Sequence, residues 1–218
     1  MKKIILVDDH SLFREGIKLL IENEGLGQII AEAENGQEFL NILPQHQPDL
    51  VIMDIEMPVL NGLEATRKAV ASRPDLKILV LTMLNDKTNY LELVNAGALG
   101  FVLKTSGKLD FENAIRTITL GGNYFSNEIL RYIISQQQDK DKLKITSEST
   151  PKTQISTREN DVLLLLCQGL SVTEIADKLF LSAKTIETHR SALLKKTNTK
   201  NTINLILFAF KNNLAALR

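Results

Sequence analysis

Cysteine is almost missing from this sequence, whose 218 residues contain only Cys167. A single thiol excludes an internal disulfide and is typical of a protein that works in the reducing cytoplasm. Cys167 lies in the apolar stretch LLLLCQG, where ordinary core packing is its expected role. Long apolar runs are missing too, and the amino-terminal MKKIILVDD is too short for a signal peptide or a membrane span. The sequence therefore predicts a cytoplasmic protein without a membrane partner.

A net charge of either sign is also missing, because 26 basic residues balance 26 acidic ones. The balance hides an asymmetry along the chain. Residues 1–135 contain 13 Lys and Arg against 18 Asp and Glu, whereas residues 153–218 contain 9 against 5. An acidic front half and a basic rear half predict different partners for the two halves. The rear excess is by itself a weak indication of nucleic-acid binding.

The first 120 residues alternate between two hydrophobic patterns. Strand-like apolar runs occur at 4–7, 29–33, 50–53, 78–82 and 100–103. Amphipathic helical stretches lie at 11–24, 36–43, 61–72, 86–96 and 108–120. Continuous Val, Ile and Leu runs between such helices favour a parallel sheet that is covered on both faces. We therefore expect an α/β doubly wound five-stranded parallel sheet.

The rest of the chain becomes purely helical after a polar interruption. GGNYFS at 121–126 ends the last front helix, and a short connecting helix is expected within 123–135. The stretch 136–153 is polar and unpatterned, which predicts a flexible linker. Two capping-box patterns, Ser156-x-x-Glu159 and Ser171-x-x-Glu174, then mark helix starts. The predicted domains are 1–122 and 154–218, and the second is a small all-α domain of four helices, at 157–168, 172–180, 183–196 and 200–212.

Polar side chains follow the predicted strands at one edge of the sheet. Asp8 and Asp9 follow the first strand, Asp54 ends the third, Thr82 ends the fourth and Lys104 follows the fifth. Function collects at this edge in open α/β sheets, so these side chains are expected to meet. Clustered carboxylates raise one another's pKa unless a cation offsets their charge, and Mg²⁺ binds both carboxylate and phosphoryl oxygens. The set predicts an aspartyl-phosphate site in which Asp54 attacks phosphorus while Mg²⁺ and Lys104 offset the charge.

The motifs LVDDH, MDIEMPVLNG, LT and GFVLK together resemble the flavodoxin-like receiver domain of bacterial two-component response regulators. The resemblance implies that Asp54 accepts a phosphoryl group from a histidine kinase. The Mg²⁺ ligands that it implies are Asp8, Asp9, Asp54 and the backbone carbonyl of Glu56. The residues that it implies for binding and sensing the phosphoryl group are Thr82, Lys104 and Phe101. Phe101 would be the aromatic that swings inward after phosphorylation, with core packing in the fifth strand as the plain alternative.

The rear segment fits a helix-turn-helix pattern. Ile175, Ala176 and Leu179 share one face of its first helix, and Ile186 and Leu193 turn inward on its second. The longer stretch STRENDVLLLLCQGLSVTEIADKLFLSAKTIETHRSALLKKTNTKN resembles the LuxR-type DNA-binding domain. A receiver joined to this domain is similar to the NarL/FixJ architecture. That resemblance implies double-stranded DNA as a partner, transcription regulation as the function, and a homodimer in the phosphorylated state.

The second helix of the motif, residues 183–196, is expected to enter the major groove. The residues expected to contact phosphates are Lys184, Thr185, Arg190, Lys195 and Lys196. The resemblance turns Glu187, Thr188 and Ser191 toward base edges, where a glutamate can accept a hydrogen bond from a cytosine amino group. An exposed helix acid is the equal alternative for Glu187, and His189 is expected to pack rather than to contact bases.

The rear segment departs from the family pattern at three places, which are Val172-Thr173, Thr197-Asn198 and Thr202. The family usually has Asn-Lys, Leu-Gly and an arginine there. These replacements remove phosphate contacts and predict a modest, salt-sensitive nonspecific affinity. The last helix, NTINLILFAFKNNL, is unusually apolar, so part of it is expected in the core and the remainder at a dimer interface.

Other functions fit parts of the sequence. A phosphatase of the haloacid dehalogenase type needs a second aspartate where Glu56 stands, and it needs a cap insertion that the front domain lacks. A flavodoxin-like electron carrier needs a hydroxyl-rich loop after the first strand, where this chain has DDHSLFREG. A rear domain that docks a protein instead of DNA remains open, although its basic residues disfavour it. We therefore expect a regulator rather than an enzyme.

Overall fold

A computed structural model describes residues 1–83, 90–126, 128–133 and 155–215. They fall into two compact units. The first contains Met1–Leu120 and Tyr124–Ser126, and the helices from residue 157 onward belong to the second. The predicted linker at 136–153 lies outside the described residues, so the domain bounds remain predictions. Within the predicted connecting helix, residues 128–133 are helical.

The first unit is built on one parallel sheet with the strand order β2-β1-β3-β4-β5-β6. Its strands are β1 (Lys3–Val7), β2 (Gln28–Ala33), β3 (Leu50–Asp54), β4 (Ile78–Thr82), β5 (Gly100–Leu103) and β6 (Tyr124–Phe125). Its helices are α1 (Ser11–Asn23), α2 (Gly36–Ile42), α3 (Gly62–Ser72), α4 (Tyr90–Ala96) and α5 (Lys108–Thr119), and a 3-10 turn at Leu43–Gln45 follows α2. The strand order reverses between β1 and β3, which is where sites form in such sheets.

Side chains that alternate along the buried strands fill two apolar layers. Ile4, Leu6, Leu50, Ile52, Leu79 and Leu81 belong to one core with α1 and α5. The intervening residues, such as Ile5, Val51 and Val80, are equally inaccessible and point to the opposite face by strand alternation. Burial on both faces explains the continuous apolar runs of the sequence and confirms the doubly wound α/β class.

The sheet has a sixth strand, whereas the sequence predicts five. β6 pairs in parallel with β5, aligning Tyr124 with Gly100 and Phe125 with Phe101. The backbone amide of Ser126 donates to the carbonyl of Phe101 at 3.0 Å. With two residues, β6 is too short to show a strand period, and its flanking Gly and Asn read as a turn.

Four helices form the core of the second unit: α6 (Thr157–Cys167), α7 (Val172–Leu179), α8 (Ala183–Thr197) and α9 (Thr202–Lys211). Both predicted capping boxes are formed, with Ser156 and Glu159 exchanging hydrogen bonds at α6 and Ser171 and Glu174 at α7. Ser182 caps α8 by accepting from the amide of Thr185 at 3.1 Å. Each of these caps satisfies amides that the first helical turn leaves unbonded.

The turns and the core of the second unit follow the same local rules. Asn198 ends α8 in the left-handed conformation, at φ 52°, where the family pattern has glycine. Burial raises the pKa of the Cys167 thiol to about 12, as a packed thiol requires.

In α9, every apolar side chain except Phe208 is buried, so the described chain leaves little of this helix for a partner. Among the described residues, every helix falls short of the length and apolar character of a membrane span.

Candidate functional site

The carboxyl ends of β1, β3 and β5 bring two carboxylates and one ammonium together. Lys104 Nζ lies 2.7 Å from Asp8 Oδ2 and 2.8 Å from Asp54 Oδ2. Both aspartates are buried, and the Lys104 side chain is only 11% exposed. The other Asp54 oxygen, Oδ1, accepts from the backbone amide of Ile55 at 2.8 Å. The structure thus places the predicted Asp8, Asp54 and Lys104 in direct contact.

Burial sets the electrostatics of this cluster. It raises the pKa of Asp54, the negative charge of Asp8 raises that pKa further, and the Lys104 hydrogen bond partly opposes both effects. Burial would lower the pKa of Lys104, but the hydrogen bond to Asp54 and the negative charges of Asp54 and Asp8 outweigh it, so that pKa is raised. Lys104 is therefore an ammonium at neutral pH, and the cluster holds more negative than positive charge whenever both aspartates are ionised.

The donors around the cluster are suited to a hard cation. One ligand atom each from Asp8, Asp9, His10 and Asp54 lies within 4.8 Å of the others. Asp8 Oδ2 is buried and makes no aligned hydrogen bond, although Lys104 lies beside it. Carboxylate oxygens of this kind are Mg²⁺ ligands. Glu56 is exposed in the loop after β3.

Thr82 and Phe101 lie in a chain of contacts that starts at the end of β4. The Thr82 hydroxyl donates to the backbone carbonyl of Met83 at 2.8 Å, and the Tyr90 hydroxyl reaches the same carbonyl at 3.4 Å. The Tyr90 ring meets the Phe101 ring edge-on, with centroids 6.0 Å apart. Phe101 also stacks on Phe125 of β6 at 5.3 Å and is fully buried. In this structure Phe101 is thus already inward, packed between α4 and β6.

The loop after Asp54 is held by a glycine at the start of α3. A Cβ on Gly62 would lie 2.0 Å from the carbonyl oxygen of Asp54, which no side chain tolerates. The Gly62 amide donates to the carbonyl of Ile55 at 2.9 Å. Val59, at φ 66°, supplies the left-handed residue of the turn. This close approach fixes the backbone on both sides of the Asp54 carboxylate.

In the second unit, one face of α8 forms a shallow groove that is open to solvent. The residues that line it are Lys184, Glu187, Thr188, Ser191, Ala192 and Lys195. Their spacing of three and four residues places them on a single stripe. Five of the eight residues predicted to contact DNA therefore share this face. Thr185 differs, because its hydroxyl is hydrogen-bonded to the capping Ser182 at 2.8 Å.

Two of the basic residues expected at phosphates are engaged inside the unit. Lys196 Nζ donates to Glu159 Oε2 at 2.7 Å and so ties α8 to α6. Arg190 lies 2.7 Å from Glu187 and donates to the Thr202 hydroxyl of α9 at 3.0 Å. His189 is half-buried, in line with packing. Contacts between separate helices leave no periodic pattern in the sequence. From the sequence alone, Lys196 and Arg190 were therefore predicted to be surface cations.

Each of the two units matches a known protein family. Residues 4–116 match the response regulator receiver domain, and residues 153–209 match the bacterial regulatory proteins of the luxR family. The chain is 34% identical over 213 residues to the oxygen regulatory protein NreC of Staphylococcus carnosus, covering 97% of this chain and 98% of that one. It belongs to the NarL/FixJ family of response regulators.

Further response regulators are similar to this chain over nearly its whole length. It is 37% identical over 213 residues to the virulence factors putative positive transcription regulator BvgA of Bordetella pertussis, covering 98% and 99% of the two chains. RcsB of Salmonella enterica, solved on promoter rprA with a beryllofluoride phosphomimetic, superposes with a TM-score of 0.57 at 26% identity, over 97% of this chain and all of that one. The family consists of phosphorylation-controlled DNA-binding transcription regulators.

The response regulator's acidic site also contains residues that the sequence analysis missed. Arg14, only 8% exposed, donates to the Asp8 carbonyl and to Glu34 Oε1, the latter at 2.9 Å. His10 Nδ1 lies 2.9 Å from Asp9 Oδ1 and 3.2 Å from Asp8 Oδ1. The sequence feature that could have predicted the role of Arg14 is its place next to the apolar Phe13 on α1, together with the acidic residues at the end of β2. Arg14 thus braces the loop that presents Asp8 and Asp9.

Proposed function

We propose that Asp54 accepts a phosphoryl group from the phosphohistidine of a histidine kinase in the cytoplasm, and that this switches a homodimer onto double-stranded DNA. An Asp54 carboxylate oxygen forms the new P–O bond while the N–P bond of the donor breaks. Helix α8 enters the major groove and its exposed stripe meets the DNA. The function thereby couples a phosphoryl state to transcription.

One observation carries this proposal, namely the contact of Lys104 with both Asp8 and Asp54 at the carboxyl ends of their strands. A buried ammonium beside the acceptor is placed to meet the negative charge that a phosphoryl group adds. A phosphatase of the haloacid dehalogenase type would need a second aspartate two residues after the acceptor, where this chain has Glu56. This departure favours holding a phosphoryl group over hydrolysing it.

The residues at the site fit the Mg²⁺ that the family implies. Asp8, Asp9 and Asp54 would hold it, together with the backbone carbonyl of Glu56, and the buried Oδ2 of Asp8 supports this fit because it lacks an aligned hydrogen bond. When bound, Mg²⁺ would offset negative charge on the phosphoryl oxygens. Lys104 keeps its charge at neutral pH and orients the acceptor carboxylate.

The switch is proposed to run through Thr82. Its hydroxyl would leave the carbonyl of Met83 and donate to a phosphoryl oxygen. The hydrogen bonding of that carbonyl, which the Tyr90 hydroxyl also contacts, would then change. Tyr90 contacts Phe101, so the change would spread to the surface of α4 and β5. A new dimer contact or a released DNA-binding unit would follow, with typical couplings of about 1–3 kcal/mol.

The test measures the molecular mass by light scattering and selects DNA sequences, with and without beryllofluoride plus Mg²⁺. We expect dimerisation and site-specific binding with the phosphoryl mimic, and no response in Asp54→Asn. The matched control is Asp49→Asn, which removes a carboxylate just before the same strand, where it accepts from the amide of Lys3 at 2.8 Å. This control should respond like the wild type.

Two outcomes would contradict the proposal. If the wild type binds DNA equally with and without the mimic, Asp54 does not control output. If no DNA is selected in any state, the second unit docks a protein instead.

A further inference from the structure

Arg190 makes two hydrogen bonds and one further ion-pair contact inside the second unit. Nε and Nη2 both contact Glu187 Oε2, at 3.0 and 2.7 Å, and Nη1 donates to Thr202 Oγ1 at 3.0 Å. Arginine holds partners in a fixed planar fork, so two helices determine where this side chain lies. A phosphate would have to be reached by the remaining N–H groups of a fork whose direction Glu187 and Thr202 already set.

Glu187 is left with one oxygen to use. Both contacts from Arg190 go to Oε2, and Oε1 has no partner in the described part of the chain. Glu187 also lines the exposed stripe of α8 with Lys184 and Thr188. A glutamate without partners samples several rotamers there, and ordering such a side chain has an entropic cost. Arg190 imposes that order before any DNA arrives.

A carboxylate on this stripe works against phosphate binding, because it repels the DNA backbone that Lys184 and Lys195 attract. An ionised carboxylate only accepts hydrogen bonds. Among base edges in the major groove, the amino group of cytosine is the donor that suits it. The position of Glu187 is therefore understandable if Oε1 meets such a group.

We infer that Arg190 is a positioning residue, anchored on Thr202, that aims Glu187 at the amino group of a cytosine. The inference rests on the proposed DNA-binding function and specifies it further. It replaces the expectation that Arg190 contacts phosphate. Thr202 holds the Arg190 guanidinium in place, because Thr202 is only 6% exposed at the start of α9.

The test compares Glu187→Ala, Arg190→Gln, Thr202→Val and the double variant Glu187→Ala/Arg190→Gln in the full chain. Affinity is measured for the selected DNA site and for each single base-pair change, at several salt concentrations. We expect Glu187→Ala to lose about 10-fold discrimination at one C·G pair. Arg190→Gln should lose discrimination at that same pair, with no further loss in the double variant.

Salt dependence separates positioning from phosphate contact. Each phosphate contact contributes about 0.9 to the slope of log affinity against log salt. We expect Arg190→Gln to keep the wild-type slope. Thr202→Val should reduce discrimination at the same pair, and Thr202→Ser, which keeps the hydroxyl, should restore it. Arg67→Gln, which breaks an equally spaced Arg–Glu pair on α3, is the charge control and should change neither quantity.

Three results are decisive. A slope that falls by about 0.9 in Arg190→Gln, with equal weakening on all sequences, makes Arg190 a phosphate contact and overturns the inference. Independent, additive losses in the double variant overturn it as well, and Thr202→Val repeats the test if Arg190→Gln does not fold. A wild type that selects no DNA overturns the proposed function itself.

Discussion

At the scale of single residues, the acidic site depends on one lysine. Lys104 contacts two buried carboxylates, and burial alone already disfavours the charge on Asp54. Lys104→Met leaves both carboxylates without their ammonium, so we expect a loss of about 3 kcal/mol in the free energy of unfolding at pH 7. The loss should be smaller at pH 5, because unpaired buried carboxyls are protonated more readily. Urea unfolding followed by circular dichroism measures both values.

The control for this loss is an exposed lysine pair. Lys108 lies 2.6 Å from Glu24, with about half of its side chain exposed. Exposed pairs contribute little because solvent screens them, so Lys108→Met should cost much less at either pH. Equal losses in the two variants would mean that the Asp8–Lys104–Asp54 contacts do not hold the sheet edge together.

Two neighbouring lysines on α8 are predicted to have different roles. Lys196 hydrogen-bonds to Glu159, whose side chain is 7% exposed, whereas Lys195 lines the exposed stripe. Lys196→Met should lower the free energy of unfolding by about 2 kcal/mol, the scale of a hydrogen bond to a charged group. Lys195→Met should leave stability nearly unchanged and lower the salt slope of DNA binding by about 0.9. The reverse pattern would show that the two lysines are assigned the wrong way round.

The same ion pair predicts a pH dependence of stability. The hydrogen bond from Lys196 and the backbone amide of Ser156 lower the pKa of Glu159 to about 2 from an ordinary 4.5, against the effect of burial. A lowered pKa stabilises the fold above pH 4.5, and this contribution disappears as the pH falls toward 2. Glu159→Gln keeps a capping-box side chain but loses the charge. Its urea midpoint should lie below that of the wild type at pH 6, and the difference should shrink as the pH falls from 4.5 toward 2.

At the scale of elements, the turn after β3 depends on Gly62. An added Cβ would meet the carbonyl oxygen of Asp54 at 2.0 Å, so the backbone has to shift. Gly62→Ala should cost about 2 kcal/mol and weaken beryllofluoride binding, because Asp54 moves with its carbonyl. Gly16 on α1 has open space around it, and Gly16→Ala should stabilise the helix by about 0.5–1 kcal/mol. Unchanged beryllofluoride affinity in Gly62→Ala would contradict the bracing role of the turn.

The elements also show which features the sequence could predict. The capping boxes at Ser156 and Ser171 are local patterns, and the helix bounds agree with prediction to within two residues. The exception is the start of α4, which was predicted at residue 86, outside the described residues. The meeting of Asp8, Asp54 and Lys104 followed from strand ends alone, because parallel strands share one edge. β6 was missed because its two residues pair with β5 only through tertiary packing. The Lys196–Glu159 contact, 37 residues apart, was missed because helix crossing decides it.

At the scale of the whole molecule, the proposed function requires that two sites on different units influence each other. Such coupling is reciprocal, since both binding events share one thermodynamic cycle. If beryllofluoride tightens DNA binding by some factor, the selected DNA must tighten beryllofluoride binding by the same factor. We expect that factor to lie between about 5 and 150, the usual range of such couplings.

The measurement is a pair of titrations at one protein concentration, Mg²⁺ concentration and ionic strength. One follows DNA binding with and without beryllofluoride, and the other follows beryllofluoride binding with and without the selected DNA. Phe101→Leu offers an internal check, because Phe101 contacts both Tyr90 and Phe125. It should lower the factor in both directions while leaving beryllofluoride binding without DNA nearly unchanged, because the ring contacts of Phe101 are with Tyr90 and Phe125 rather than with Asp54. A factor of one in the wild type would mean that the receiver does not control DNA binding through the protein's own conformation.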